Sequence, residues 1–216
     1  MRRRPKAWWT WSSARGAGER QAARVGALCC AAKPPAGAAA LNRPIPSIRR
    51  LDAVSDAQLQ QLAQVLVDCV EGGASVSFML PLPLAKAQTF WHGVADDVAQ
   101  GKRALLVAED AQGIVGTVQL VLDQPENQPH RADVSKMLVH RRARRQGVAA
   151  ALMQALEGVA RDCGKTVLVL DTVTGGDAER LYARLGWQRV GEVPDFALWP
   201  QGGMCGTTFF HRQLPA

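Results

Sequence analysis

The sequence predicts an α/β fold, and three observations carry that prediction. Segments with strand-like alternation and segments with apolar residues at helical spacing are interleaved from about residue 45 onward. Thr166 to Leu170 is a near-continuous apolar run, the pattern of a strand covered on both sheet faces. Asp133 to Ala160 reads as a strand, a short basic loop and a helix opening at Gly147. With 216 residues, 47% of them hydrophobic, the chain is at the upper end for one domain and can fill a core.

The elements follow in order. Pro46 to Leu51 fits a first short strand. Ser55 and Gln58 form a capping-box pattern that opens a helix, whose Leu59, Leu62, Leu66 and Val70 share a face before Gly72-Gly73 ends it. A second helix, Leu84 to Gln100, starts behind Pro81 and Pro83 and turns Leu84, Ala87, Trp91, Val94 and Val98 inward. Ala104–Glu109 and Ile114–Leu122 make a hairpin, and Arg131–Val139 adds a third strand that leads into the basic loop. The helix Gly147–Asp162 is expected to bury Val148, Leu152, Ala155 and Val159. Beyond the Thr166–Leu170 strand, Thr174 with Asp177 caps a helix running to about Leu185. Trp187–Val193 and Thr207–Arg212 close the fold as strands on either side of a long Pro/Gly loop.

The net charge of +7 is unevenly placed. Residues 1–50 hold 11 Lys and Arg against Glu19 alone, whereas residues 51–216 hold 15 against 18 acids. The overall basicity therefore gives the folded part no reason to bind nucleic acid. Residues 1–44, rich in Arg, Ala, Gly and Pro around Trp8-Trp9-Thr10-Trp11, read as a disordered basic extension to a domain spanning 45–216. Five cysteines without C-x-x-C spacing argue against a disulfide framework or a structural metal, and fit reduced thiols in the cytoplasm. No apolar run reaches the roughly 18–20 residues of a membrane helix.

The junction between basic loop and helix offers unpaired backbone N–H groups and the positive end of a helix dipole, beside Arg144 and Arg145. Such a junction binds anions, and Gly147 lets a ligand approach the backbone closely. The residues Arg144-Arg145-Gln146-Gly147-Val148-Ala149 resemble the R/Q-x-x-G-x-G/A signature of the GNAT acetyltransferases. Ala178-Glu179-Arg180-Leu181-Tyr182-Ala183-Arg184-Leu185-Gly186-Trp187 is similar to the family's A-x-x-L-Y-x-x-x-G-F/W segment. Glu71–Val76 and Asp133–Lys136 bring the chain nearest to the tabtoxin-resistance type. Two positions depart from the pattern: Arg145 stands where the family often has Gly, and Gly175 where it often has Asn.

The resemblance implies a mixed central sheet with splayed central strands and flanking helices. It implies acetyl-CoA as cosubstrate and an amine on a small molecule, a toxin or antibiotic, as acceptor. The protein is expected as a monomer or homodimer. Met137, Leu138 and Val139 would hold the pantetheine arm, and Arg144, Arg145, Gln146, Gly147, Val148 and Ala149 the pyrophosphate. Tyr182, the chain's one tyrosine, would protonate the leaving thiolate. Asp133 and Asp171 are alternative bases for the acceptor ammonium, with His130 and His140 nearby. Cys163 has no His–Asp partners in sequence reach, which argues against a covalent cysteine route. Arg141 and Arg142 read as a solvated steering edge. Phe78, Met79, Trp91, Phe196 and Trp199 are candidates for the acceptor wall. Acetylation of a protein N-terminus or lysine, and a non-catalytic acyl-CoA-binding regulator, stand as alternatives.

Overall fold

The computed structural model describes residues 46–215, so the extension expected at 1–44 lies outside the described residues. The chain runs β1 (Ser47–Leu51), α1 (Asp56–Glu71), α2 (Leu84–Ala99), β2 (Arg103–Asp110), β3 (Gly113–Val121) and β4 (Arg131–Val139). A short 3₁₀ turn, Arg141–Ala143, leads to α3 (Val148–Asp162), β5 (Val167–Val173), α4 (Asp177–Arg184), β6 (Gln188–Leu198) and β7 (Met204–Gln213). The seven strands form one sheet in the order β1-β2-β3-β4-β5-β7-β6. Only the β4–β5 pair is parallel. This is the mixed α/β architecture the sequence predicts.

The sheet is covered on both faces, and β2 shows how. Its Leu105 and Val107 pack with Leu59, Leu62, Leu66 and Trp91 of α1 and α2. The alternate residues Ala104, Leu106 and Ala108 pack with Leu152, Met153 and Leu156 of α3. Period-two alternation thus feeds two cores from one strand. The capping box forms as expected, with Ser55 and Gln58 exchanging hydrogen bonds at the start of α1.

Two irregularities position the site. First, β4 and β5 pair only at Arg131–Asp133 against Val167–Val169, after which they part. Second, β4 bulges. Ser135 faces Gln119 and Leu138 faces Thr117, so Lys136 and Met137 together oppose Val118. Lys136 takes a φ of 50°, left-handed for a residue with a side chain. The extra residue reverses the strand's facing. Ala132 and Val134 join the α3 core, whereas Leu138, four residues beyond Val134, joins the α1–α2 core.

The loop after β4 is tied down from α1. Asp68 is almost buried, and its carboxylate accepts from the Arg141 backbone N–H at 2.9 Å and from the Arg141 guanidinium. His140 Nε2 lies 3.5 Å and Arg144 Nη2 3.8 Å from the same carboxylate. Arg142 pairs with Asp110. Arg141 and Arg142 are therefore anchors of the loop as well as an edge, with the Arg141 side chain 58% exposed: acids distant in sequence fold back onto them.

Other details depart from the sequence reading. In α3, Met153, Leu156 and Ala160 are buried and Ala155 and Val159 only partly so, because the helix packs on a wider face. Burial along β5 alternates, with Leu168 and Leu170 buried and Val167 and Val169 only partly so. Thr174 does not cap α4, since its hydroxyl is shared with Thr208 at 2.9 Å and Gly176 occupies the N-cap. The expected long loop is instead mostly strand. β6 and β7 pair again at Ala197–Cys205 and Leu198–Met204, and Pro194 and Asp195 are absorbed in a bulge.

Asp68→Asn keeps the shape of the side chain and removes its charge. It should cost about 1–3 kcal/mol in urea unfolding and raise amide exchange at residues 140–147. Uniform exchange protection in the variant would show that the loop holds itself.

Candidate active site

The parted strands open a cavity of about 1130 Å³. One end is built by β4, the loop and the first turn of α3: Val139, Arg144, Arg145, Gly147, Val148, Ala149 and Ala150 all line it. Gly147 caps α3 with a φ of 81°, and no side chain caps the helix's first N–H groups. A Cβ built on Gly147 would meet no protein atom within 4 Å and would project into open space. Uncapped donors, an open cradle and two guanidinium groups fit a pyrophosphate. Arg145 itself adopts the left-handed conformation at φ 63°, where the resemblance leads one to expect glycine.

Of the residues expected to hold the cofactor, Met137, Leu138, Val139, Arg144, Arg145, Gly147, Val148 and Ala149 border the cavity. Gln146 is not among the lining residues; its amide nitrogen donates to the Arg142 carbonyl at 2.9 Å and stiffens the loop. The Val139 carbonyl is engaged within the fold, accepting from Arg144 Nε at 3.0 Å and from the Cys69 thiol at 3.5 Å. Burial pushes the Cys69 thiol up, against the pull of Arg144.

Tyr182 and Asp171 both line the cavity. Tyr182 is 5% exposed, its ring lying 6.0 Å from those of both Trp187 and Phe210. Burial, and then the negative charge of Asp171, hold its phenol well above the ordinary value, so it stays protonated. Asp171, on β5 beyond the point where β4 leaves, presents its accessible surface at the cavity wall. Desolvation raises its carboxyl above the usual range, Lys136 opposes that shift, and Asp133 adds to it. Asp133 does not line the cavity. Its carboxylate accepts from Arg131 and, at 3.2 Å, from Gln124. His130, His140 and Cys163 also lie off the lining; His140 Nδ1 accepts from the Arg142 N–H at 3.2 Å.

The far wall joins two segments distant in sequence. Ser75 to Met79, from the α1–α2 connection, face Phe196 to Trp199 of β6 and its turn. Ser75 Oγ donates to the Leu198 carbonyl at 2.8 Å, and Leu80 N donates to the Pro200 carbonyl at 2.8 Å. Phe78, Met79, Phe196 and Trp199 line this wall as expected. Trp91 does not, since it is fully buried in the α1–α2 core against Phe90. The sequence reading gave no role to Lys136. Its Nζ donates to Ser77 Oγ at 3.2 Å and lies 5.7 Å from the Phe90 ring centre.

Comparison with known proteins agrees with this geometry. The acetyltransferase (GNAT) family matches residues 77–187. Human N-acetyltransferase 8 is 33% identical over 112 residues, 51% of this chain and 49% of its own length. The chain thus spans about half the length of that relative. An uncharacterised N-acetyltransferase from Azospirillum brasilense, encoded between hisH and hisA, is 30% identical over 58% of this chain and 74% of its own. Among solved structures, yncA from Salmonella typhimurium with its cofactor acetyl-CoA superposes with a TM-score of 0.65 at 20% identity, over 79% of this chain and 95% of that one. The family match covers just over half of the sequence and includes the loop-to-helix junction at Gly147, the parted strands and Tyr182: the chain belongs to the GNAT acetyltransferase family.

Proposed function

We propose that the protein transfers an acetyl group from acetyl-CoA directly to an amine of a small molecule. One observation carries the reading: a single cavity joins an uncapped helix N-terminus flanked by Arg144 and Arg145 to the buried Tyr182 and to Asp171. When bound, acetyl-CoA supplies an activated acetyl thioester. The loop and α3 hold its phosphates, and the edge of β4 that β5 has left aligns its arm. Asp171, made more basic by burial, accepts a proton from the acceptor ammonium. Tyr182 remains protonated and donates to the sulfur as the C–S bond breaks and the C–N bond forms. The ammonium gives up two protons in all. One replaces the proton Tyr182 has donated, and the other leaves to solvent from Asp171.

The hydrogen-bonded contact between the α1–α2 connection and the β6–β7 turn favours a small acceptor over a polypeptide lying in a wide groove. Within that class, the likeness of residues 71–76 and 133–136 to tabtoxin-resistance enzymes supports an amine-bearing toxin or antibiotic. The free cysteines among the described residues suit a reducing compartment, and we place the protein in the cytoplasm.

Gly147→Ala places a methyl group in the phosphate cradle and a side chain at positive φ. It should lower stability by about 1–2 kcal/mol and weaken acetyl-CoA binding by roughly tenfold or more in titration calorimetry. Unchanged affinity in the folded variant removes the cradle assignment. Tyr182→Phe keeps the ring packing and removes the donor, so kcat should fall by roughly 10²–10⁴ with little change in KM for acetyl-CoA. An unaltered kcat would reduce Tyr182 to packing.

Asp171 gives the pH dependence. Because its carboxyl is raised, the base form is lost as pH falls through a value above the ordinary carboxylate range. The wild-type kcat/KM profile should show that acid limb. Asp171→Asn should lower the rate by roughly 10²–10⁴ and flatten the limb. A limb that persists in Asp171→Asn assigns the base to another group.

A further inference from the structure

The acceptor end of the cavity holds an arrangement that acetyl transfer by itself does not require. Lys136 is the only lysine among the residues lining the cavity. It stands on β4, opposite Asp171 on β5, one charge on each lip of the opening. The two act on each other through space, without a direct ion pair among the described residues. An ammonium has three donors, and here one donates to Ser77 while the nitrogen lies 5.7 Å from the centre of the Phe90 ring. Such a group is desolvated without full compensation. Arg103, behind it, repels the charge further and is itself occupied by Asp97 and Gln119.

Backbone geometry singles out the same pair. Ser77 at φ 76° and Lys136 at φ 50° are both non-glycine residues in left-handed conformations, and their side chains are hydrogen-bonded to each other across the cavity wall. Strain of this kind persists only where the surroundings enforce it, and it concentrates at binding sites. The β4 bulge is what directs Lys136 toward the Ser77 side. Around the two charges the wall is apolar: Phe78, Met79, Phe196 and Trp199.

Resting on the acetyl-transfer reading, we infer that the acceptor carries an anionic group, a carboxylate in the simplest case, beside its reacting amine, and that Lys136 binds that group. The amine is then directed to Asp171 and an apolar substituent to the aromatic wall. This defines an amino-acid-like zwitterion with a hydrophobic side chain. A protein lysine lacks a carboxylate next to its amine, and a protein N-terminus presents an amide there, so neither would satisfy Lys136.

The test compares matched acceptors on the full-length protein in an acetyl-CoA thiol-release assay: phenylalanine with phenethylamine, leucine with isoamylamine, and tryptophan with tryptamine. The wild type should favour the amino acid in kcat/KM by roughly 10- to 100-fold, the worth of a charge-assisted hydrogen bond. Lys136→Met should cut the amino-acid rates by that factor more than the amine rates, and Lys136→Arg should retain the preference. Equal use of both members of each pair overturns the inference and leaves acetyl transfer standing. So does a Lys136→Met variant, folded by thermal shift, that slows both members alike. Release with none of the six overturns it as well. In that case thermal protection by acetyl-CoA in the same samples shows whether the acetyl-transfer reading falls too.

Discussion

The site depends on the failure of two neighbouring strands to stay paired. β4 and β5 are parallel partners for three residues and then diverge, although each remains paired to its other neighbour. Parallel strands seldom survive within a sheet with a bare edge, because unpaired backbone groups are costly away from water. Here the bare edges face a cavity large enough for a ligand to supply the missing partners. The bulge at Lys136–Met137 belongs to the same arrangement. It adds twist where the strands separate and transfers the following apolar residue to the opposite core, so that both layers stay filled.

Charge is partitioned along that opening. The loop between β4 and α3 carries four arginines, which left alone would repel one another. Asp68 and Asp110 neutralise Arg141 and Arg142, and Asp177 lies 3.3 Å from the exposed Arg145. Arg144 is held by a carbonyl at one nitrogen and lies at the edge of Asp68's reach, yet still borders the cavity. The positive field is therefore focused at the helix N-terminus. At the centre, burial shifts two groups in directions that complement each other, an acid kept protonated at Tyr182 and a base strengthened at Asp171.

The element order, the capping box of α1 and the helix start at Gly147 were legible in the sequence because each is a local pattern. Capping and helical spacing are set within a few residues, and Gly147 announces its own backbone freedom. What sequence reading missed was set by distant segments. Asp68 looks like an ordinary surface acid of α1 until the fold places it beneath the loop, 73 residues on. Thr174 has the residue type of a helix cap, but Thr208 of β7 claims its hydroxyl. Trp91 has the composition of a pocket wall and the environment of a core. Asp133 and Asp171 are equivalent as letters. Only the point of strand separation puts one of them on the cavity and leaves the other with Arg131 and Gln124.

Lys136 shows why period-two reasoning fails where the chemistry lies. In a regular strand it would share a face with Val134 and Leu138, and a lysine between two buried apolar residues reads as an anomaly to be discounted. The bulge removes the contradiction by ending one alternation and beginning another at Lys136 itself. A residue at that discontinuity belongs to neither core and is free to project into the opening. Four non-glycine residues take positive φ among the described residues: Ser77, Lys136, Arg145 and Asp195. The first three line the cavity and the fourth precedes Phe196, which does. Among the described residues, the non-glycine positions of positive φ thus lie on or next to the perimeter of one site. The perimeter divides into a cofactor side, fixed by a loop anchored on Asp68, and an acceptor side assembled from two segments joined at Ser75–Leu198 and Leu80–Pro200. A side chain added at Gly147 would meet no atom of the far wall, so the acceptor wall can vary without crowding the start of α3 at that position.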